Sequence, residues 1–541
     1  MIENNDSADA ETDADNERAR ERSRYRNLLY VLVPIALFTV LRLPALIHQP
    51  GMQDEQWFAV PGLTVWQEGI PRIPYVPTRR RETLFENADV CLMALPPGLF
   101  YVQAPFFAVF PAGYATARIP LFLGALVAIV LTFRTTRLLS RRVVASEEQR
   151  RSEFAIPAIV AGVAATSIAV SRPLLFTGLT TRPDLLCILC GWVAILILWK
   201  RLSLDRLKDS FLIGCVCGLG ALFHPFALVF CIQVGVAGLF GAGTWKRRIL
   251  HVLSMAGGTV AVLLLWLPLI LAFPHEFRSQ FFANVLDRAG PGLPSRLLWP
   301  LPALRHHAGL LWEFLGPAQC ALLAIGLILG SFTLWRTRRD RIAIGYIALV
   351  WSSVYLTATV AGLHPTKGYW MYPFMWIIVL LVVSTWHGAA WLAGTGSSIR
   401  RRELMFSAIS LFLLMALIPG SGLRTTWLYI THWHDDRYHG PSFIDGVLNE
   451  LPHTGVFYAD LSYVFDVYLS GRETRLCQER EQYWGDEEID YAYLILSWEG
   501  EDAGWAEQYD GKWVRRIGSR ETDQSCFVDL YQPAAPDRPN E

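Results

Sequence analysis

The stretch "LLYVLVPIALFTVLRLPALIHQPGMQDEQWFA" (residues 28–59) joins a long apolar run to two adjacent carboxylates, Asp54 and Glu55. Residues 28–48 can cross a bilayer as a helix, since a membrane-spanning helix needs about 20 apolar residues. No small-residue cleavage site follows this run, so we interpret it as an uncleaved signal anchor. The acidic pair would then lie where the first helix leaves the membrane.

The composition of the whole chain is that of a multi-pass membrane protein. Of its 541 residues, 52% are hydrophobic and only 18% are charged, against about a quarter in an average soluble domain. Residues 1–27 are acidic and then basic, with almost no apolar side chains, which predicts a disordered segment. No glycine-rich phosphate loop or nucleic-acid motif stands out, and we expect no nucleic-acid partner.

Eleven apolar runs are candidates for membrane spans by their length and lack of charge. They cover residues 28–48, 118–138, 154–176, 185–199, 210–223, 225–243, 250–273, 308–334, 342–362, 369–393 and 404–420. Lys and Arg collect in alternate gaps between the runs, for example in "RTTRLLSRR" and "WRTRRDR". Since positively charged loops stay in the cytoplasm, the N-terminus is predicted to be cytoplasmic, and the loop 49–117 and the tail from residue 421 extracytoplasmic.

Two extracytoplasmic segments have structure of their own. "PPGLFYVQAPFFAVFPAG" (96–113) is apolar, but it is short and broken by prolines, which indicates an interfacial or re-entrant helix. In the tail, "HTGVFYADLSYVFDVYLSG", "DYAYLILSW" and "SCFVDLYQP" are typical of strands, and "SFIDGVLNELP" has helical spacing. The predicted fold is an all-α polytopic membrane bundle of about eleven helices (28–420) with a small C-terminal α/β domain (421–541).

Ionisable side chains recur at the outer ends of the predicted spans, at similar depths. A solvated loop is the simplest reading of any one of them, but such groups are costly in lipid, and together they indicate a water-filled cavity. In chain order they are Asp54, Glu55, Arg182, Asp184, His224, His364, Lys367 and Tyr369.

These residue types fit one kind of chemistry. The basic groups could hold a phosphate, and a carboxylate could take the proton of a hydroxyl. Both are needed to move a sugar from a lipid phosphate to an acceptor hydroxyl while the isoprenoid tail lies between helices.

Three motifs in order resemble the GT-C membrane glycosyltransferases, of the protein O-mannosyltransferase and aminoarabinose–lipid A transferase kind. They read "DEQWFAVPGLTVWQEGIP", "ALPPGLFYVQAPFFAVFPAGYATARIPLFLGAL" and "TTRPDLL". The resemblance is best over residues 28–200 and continues loosely through "HPTKGYWMYPF" into the tail.

The resemblance implies a polyprenyl-phosphate sugar donor and inversion at the anomeric carbon. It implies that Asp54 is the catalytic base, with Glu55 as its partner and Asp184 as a second acidic group. Arg182 or Lys367 would neutralise the leaving phosphate.

Further donor-side candidates are His224, His364 and Tyr369. Tyr369 matches an aromatic of the family. "FHPF" stands where many relatives have Lys-Gly, so a phosphate-binding lysine is either replaced by His224 or lost.

The acceptor stays open between a protein, a lipid and a glycan. Relatives that modify lipid A show an acidic-basic pair directly before the two prolines, where this chain has "CLMALPPG". The nearest acidic groups are Glu86 and Asp89, and Tyr101 and Arg118 are further candidates of this loop.

Other features have competing interpretations. The acidic set could bind Mg²⁺ or Mn²⁺, although the sequence places no metal. "THWHDDRYH" (431–439) is a weaker metal candidate than a solvated turn. Cys477 and Cys526 could pair in an oxidising compartment, and residues 277–294 could form an amphipathic lid or a plain linker.

Two other functions compete with the enzyme. A transporter or flippase for a lipid-linked or anionic substrate also gathers charges in a bundle, but near the midplane and commonly within repeats. A non-catalytic scaffold would not need Asp54 or Asp184.

Overall fold

The computed structural model describes residues 6–80, 84–143, 156–200, 206–240, 243–287, 292–336, 341–363, 367–394, 398–485 and 489–534. The helices of the bundle are α1 (Asp6–His48), α2 (Glu55–Phe58), α3 (Val60–Glu68), α4 (Gly98–Phe107), α5 (Tyr114–Val143), α6 (Ile156–Ala169), α7 (Arg172–Thr177), α8 (Asp184–Lys200), α9 (Leu207–Phe223), α10 (Leu228–Leu239), α11 (Trp245–Leu263), α12 (Leu267–Ala272), α13 (Pro274–Glu276), α14 (Leu293–Leu298), α15 (Leu301–Leu315), α16 (Pro317–Arg336), α17 (Arg341–Ala361), α18 (Met371–Ala393) and α19 (Ile399–Leu417). The C-terminal part contains α20 (Leu423–Thr431), α21 (Gly440–Asn449), β1 (Val456–Ala459), α22 (Val464–Leu469), β2 (Glu473–Leu476), α23 (Arg480–Tyr483), β3 (Tyr493–Leu496), α24 (Trp498–Asp502), α25 (Trp505–Gln508), β4 (Gly511–Gly518) and β5 (Phe527–Pro533).

The chain is a multi-pass membrane protein. Within the described part, six helical segments are long and apolar enough to cross a membrane: Leu28–His48, Tyr114–Arg141, Trp245–Ala272, Pro317–Arg336, Ile342–Ala361 and Lys367–Ala393. Two shorter apolar helices cover Ile156–Ala169 and Pro225–Leu239. Each of the eleven predicted runs contains helix. Length and composition identify six membrane-spanning segments among the described residues, so they do not establish eleven spans.

Two predicted runs are interrupted by non-helical residues in the structure. The run 308–334 is two helices, because Gly316 ends α15 with a positive φ of 78° and Pro317 begins α16. The run 154–176 is broken at Ser171, where α6 has ended and Pro173 opens the short α7. Proline is favoured in the first turn of a helix, so in both places it marks a new start.

The first helix begins at Asp6, so residues 6–27 are helical where the composition predicted disorder. This segment is rich in Ala, Glu and Arg, which are good helix formers. The apolar helix that follows supplies the nucleus, so extending it backwards does not require a new nucleation step.

Helix α18 is the centre of the bundle, and all its residues from Met371 to Val383 are buried. Trp376 stacks on Trp192 of α8 with a ring separation of 3.9 Å. Its backbone carbonyl accepts a hydrogen bond of 2.8 Å from the Tyr346 hydroxyl of α17. The segment just before α18 is thereby held firmly against α8, and both belong to the candidate site.

Helix α4 lies in the predicted interfacial stretch and has ten residues. It is too short to cross a bilayer. Tyr101, Val102, Val109 and Phe110 in and after it are exposed, as expected for a segment that lies in the membrane surface.

The C-terminal part is a small α/β domain, as predicted. Its sheet has the order β2-β1-β3-β5-β4, with β1, β2 and β3 parallel and β4 and β5 antiparallel to their neighbours. "SFIDGVLNELP" forms α21, while "HTGVFYADLSYVFDVYLSG" is half strand and half helix. The chain turns at Asp460, whose backbone carbonyl accepts a hydrogen bond from Val464 N at 2.9 Å. Cys477 and Cys526 are buried and unpaired.

The α/β domain docks directly on the loop between α1 and α5. Gly51 N donates to the carbonyl of Ser462 at 2.9 Å, and the Tyr114 hydroxyl donates to that of Leu461 at 2.8 Å. A side chain at Gly51 would meet the Leu461 carbonyl at 2.5 Å. The carboxyl ends of the parallel strands therefore lie beside the loop that carries Asp54.

We expect Gly51→Ala to loosen this docking, because the added methyl group requires the backbone of one partner to move. Overpacking of this kind costs about 1–3 kcal/mol, so thermal stability in detergent should fall and proteolysis near residue 421 should speed up. Gly446→Ala is the matched control, since a methyl group there meets no atom within 4 Å. Equal stability of the two variants would contradict the docking.

Candidate active site

A buried ion pair fixes the loop that bears the acidic motif. Arg118 of α5 donates through Nε to Glu55 Oε1 at 2.9 Å and through Nη2 to Glu55 Oε2. Its Nη1 and Nη2 also donate to the carbonyls of Gln49 and Pro50, both at 2.7 Å. One guanidinium therefore holds both the acidic motif and the end of the first helix.

Glu55 is fully buried and its two oxygens accept four hydrogen bonds. Besides Arg118, the donors are Met52 N at 2.9 Å and Thr181 N at 2.8 Å. Glu55, which the resemblance made the catalytic partner of Asp54, is therefore enclosed by hydrogen-bond donors. Arg118, a candidate residue of the acceptor or the loop, contacts the loop.

The backbone of Asp54 directs its side chain away from the buried position of Glu55. Its φ of 55° lies in the left-handed region, which Asp and Asn tolerate better than other non-glycine residues. The side chain is 31% exposed, and Oδ2 accepts a hydrogen bond from Arg182 Nη1. Oδ1 takes no hydrogen bond from any described residue, so it is available to a substrate.

Arg182 joins the two predicted acidic groups. Its Nε donates to Asp184 Oδ2 at 2.8 Å. Burial disfavours the guanidinium charge, but the charges of Asp184 and then Asp54 outweigh burial and raise the pKa of Arg182 above its ordinary value. Arg182 therefore stays charged while it positions both carboxylates.

Asp184 begins α8 and is 1% exposed. Its Oδ1 is buried and has no hydrogen-bond partner in the described part of the chain. A side chain at Gly368 would collide with Asp184 Oδ2, so the glycine allows the turn Lys367–Trp370 to close over the carboxylate.

The same turn carries two predicted donor-side residues. The Tyr369 hydroxyl lies 3.0 Å from His224 Nε2, and His224 Nδ1 accepts from Phe226 N at 3.1 Å. The Nδ1 atom is thus an acceptor, and the hydrogen of that ring lies on Nε2 and points to the tyrosine oxygen. His224 orients Tyr369 beside Arg182. His364 lies outside the described residues.

Lys367 has a cationic neighbour that the sequence did not reveal. Lys367 Nζ lies 5.9 Å from the centre of the Phe314 ring, and the Arg172 guanidinium lies 4.9 Å from it. Arg172 is exposed and also donates to the Phe314 carbonyl. Two cations therefore flank one aromatic ring at the mouth of the site.

The predicted acceptor residues have partners of their own. Asp89 forms a two-bond ion pair with Arg79, at 2.5 and 2.8 Å. Glu86 is buried and lies 3.2 Å from His275 Nε2. The Tyr101 hydroxyl donates to the Gly69 carbonyl at 3.1 Å. The structure therefore does not bring these residues into the cluster of Asp54, Arg182 and Asp184.

The predicted lid segment is attached to the loop between α1 and α5 over residues 277–287. Gln280 Nε2 donates to the carbonyls of Glu86 and Cys91, at 2.7 and 2.9 Å, and Gln280 Oε1 accepts from Met93 N at 2.7 Å. Asn284 donates to the Ala94 carbonyl at 2.8 Å. These bonds cover the loop just before the two prolines.

No group of three or more His, Cys, Asp or Glu side chains that could hold a metal ion occurs in the described part of the chain. In the cluster of Asp54 and Asp184, the guanidinium of Arg182 lies where a bridging cation would bind. This donor set does not fit Mg²⁺ or Mn²⁺, which need several free oxygen ligands. In the 431–439 segment, Asp435 pairs with Arg437 at 2.8 Å and His439 caps α21 through Ser442 N at 3.1 Å.

The amino-acid sequence matches no protein-family model and no curated protein. Solved structures do resemble the fold. ArnT from Cupriavidus metallidurans in the apo state aligns with a TM-score of 0.53 and 14% identity, over 93% of this chain and 97% of that chain. ArnT bound to undecaprenyl phosphate aligns with a TM-score of 0.55 and 15% identity, over 95% and 99%. The oligosaccharyltransferase of Archaeoglobus fulgidus in complex with Zn and sulfate aligns at 0.45 and 11%, over 92% and 72%.

The chain therefore has the membrane-bundle fold of ArnT, as the resemblance of its motifs predicted. Its fold is that of ArnT along nearly the whole length of both chains.

We expect Arg118→Met to destabilise the protein strongly, because the buried Glu55 would lose its counter-ion and two of its four hydrogen bonds. Breaking a buried pair on one side costs about 3–5 kcal/mol. The double variant Arg118→Met/Glu55→Gln should recover much of the loss of thermal stability. If the single variant is as stable as the unsubstituted protein, the ion pair does not hold the loop.

Proposed function

We propose that this protein transfers a sugar from a polyprenyl-phosphate donor to an acceptor hydroxyl on the extracytoplasmic face of the cell (inner) membrane, with inversion. The observation that carries the proposal is the partly exposed carboxylate of Asp54, held by Arg182 at the end of the bundle. The fold supports it, since ArnT shares the fold and has been crystallised with undecaprenyl phosphate.

Asp54 acts as the general base. Arg182 fixes Oδ2, which leaves Oδ1 to accept the proton of the acceptor hydroxyl. The acceptor oxygen bonds to the anomeric carbon from the side opposite the phosphate. The bond between that carbon and the phosphate oxygen breaks, and the lipid phosphate leaves with its electron pair, so inversion follows from a single displacement.

The lipid phosphate would bind at the cations of the outer mouth. Lys367 and Arg172 both lie against Phe314, and charge-assisted hydrogen bonds from them would stabilise the negative charge of the leaving group. Arg182 Nη2 makes no hydrogen bond to a described residue and would be a third donor. Asp184 holds Arg182 in place.

This assignment requires the N-terminus in the cytoplasm and the α/β domain outside, as the basic loops predict. A transporter or flippase is the alternative. The described ionisable cluster joins the first outer loop, the start of α8 and the turn before α18, which favours chemistry at the membrane surface.

We expect Asp54→Asn to lower sugar transfer about 10²–10⁴-fold, the usual contribution of a general base. The assay follows label from undecaprenyl-phosphate monosaccharides (mannose, glucose, galactose and arabinose) with purified protein in nanodiscs. Asn keeps the left-handed backbone and can still accept from Arg182. Asp510→Asn is the matched control, because Asp510 also has a positive φ, 53°. Unchanged transfer by Asp54→Asn would show that Asp54 is not the general base. If the unsubstituted protein turns over none of the donors, a transporter is favoured instead.

We expect Lys367→Ala and Arg172→Ala each to weaken the binding of undecaprenyl phosphate about tenfold, as the loss of one charge-assisted bond would. Binding is measured by thermophoresis at low and at high salt, and the difference between variants should shrink at high salt. Lys512→Ala, on the exposed strand β4, is the control. Unchanged affinity in both variants would place the phosphate elsewhere.

A further inference from the structure

A buried histidine of α15 joins the end of α17 to the turn that precedes α18. His307 is fully buried, and its Nε2 donates to the carbonyl of Gly362, the residue after α17, at 2.8 Å. Its Nδ1 accepts from Nε1 of Trp370, the last residue of the turn Lys367–Trp370, at 3.1 Å. One imidazole ring therefore connects three elements of the bundle.

The two partners fix the state of this ring. A backbone carbonyl can only accept a hydrogen bond, and an indole N–H can only donate one. His307 is therefore neutral, with its hydrogen on Nε2. Both ring nitrogens hold Gly362 and Trp370, so the side chain acts on these residues rather than on a substrate.

Helix α15 contacts the same turn a second time. Phe314 lies seven residues after His307, two turns further along the helix and therefore on the same face. The centre of its ring lies 5.9 Å from Lys367 Nζ and 4.9 Å from the Arg172 guanidinium. Because α15 meets the first residue of the turn through Phe314 and the last through His307, the separation of Lys367 and Arg172 depends on how the turn packs on α15.

Loss of the imidazole would disturb this packing. The N–H of the buried Trp370 and the carbonyl of Gly362 would lose a partner, and unpaired buried polar groups are costly. The turn would have to shift to satisfy them. Gly368 already lies tightly against Asp184 on the same turn, so a shift there changes the site.

We propose that His307 is a positioning residue for the lipid phosphate. It holds the turn Lys367–Trp370 on α15 so that Lys367 and Arg172 present their charges to the same phosphate. This inference rests on the proposed function, and it adds a residue that acts on donor binding through Lys367 without contact with the donor.

The test is a double-mutant cycle on the binding of undecaprenyl phosphate by the full-length protein in nanodiscs, followed by thermophoresis. His307→Leu should weaken binding about three- to tenfold, because the turn loses two hydrogen bonds. The double variant His307→Leu/Lys367→Ala should bind within about twofold of Lys367→Ala alone, since both changes remove the same contact. A merely structural role would instead give losses that add.

A conservative variant should restore binding. His307→Gln offers one acceptor oxygen and an NH₂ donor, so it can reproduce both bonds, and its affinity should stay within about twofold of the unsubstituted protein. Trp370→Phe removes only the indole donor and should weaken binding about threefold. This second variant keeps the test decisive if His307→Leu does not fold.

His251 provides the matched control. It is also a buried histidine, and its Nδ1 lies 2.7 Å from Ser210 Oγ, where it joins α11 to α9. His251→Leu should lower thermal stability and leave the affinity for undecaprenyl phosphate unchanged, because neither helix carries Lys367 or Arg172.

Three results would overturn the role of His307 while leaving the proposed function intact. They are unchanged affinity in both His307→Leu and Trp370→Phe when Lys367→Ala binds more weakly, additive losses in the double variant, and an equal loss in His251→Leu. Unchanged affinity in Lys367→Ala would reject the role of His307 together with this position of the phosphate. No binding by the unsubstituted protein and no donor turnover would reject the proposed function as a whole.

Discussion

The ion pair between Glu55 and Arg118 is the constraint on which the rest of the site depends. It is buried on both sides, and leaving either charge alone would cost several kcal/mol. Around it meet the end of α1, the helix α5 and, through Thr181 N, the loop that leads into α8. Because Glu55 is fixed in this way, the preceding residue, Asp54, is held at the lip of the bundle with its side chain turned outward.

Arg182 then converts two neighbouring carboxylates into an ordered pair. It contacts Asp54 and Asp184 with different nitrogen atoms, so its charge offsets theirs at short range, and each carboxylate keeps one oxygen free of it. The cations at Phe314 lie on other elements, Arg172 on α7 and Lys367 on the turn before α18. A site with this separation of charge suits a reaction in which an anionic lipid leaves on one side and a hydroxyl attacks from the other.

The sequence predicted the helical bundle and the C-terminal α/β part, because length, hydropathy and strand patterns are local properties. It also selected Asp54, Arg182 and Asp184, which the structure brings together. The sequence could not distinguish the roles of the adjacent residues Asp54 and Glu55. Their side chains are set apart by a backbone angle and by the ion pair of Glu55 with Arg118, which lies 63 positions away. Arg172 was hidden inside a continuous apolar run. The break at Gly316 was a signal in the sequence, a Gly-Pro pair inside an apolar run.

The most direct test of the account is a cryo-electron microscopy structure of the protein in nanodiscs with undecaprenyl phosphate. The account predicts the phosphate within hydrogen-bonding distance of Lys367 and Arg172, on the same side of the membrane as Asp54, with the isoprenoid tail between helices. A phosphate bound near the middle of the bilayer, or at the cytoplasmic ends of the helices, would contradict it.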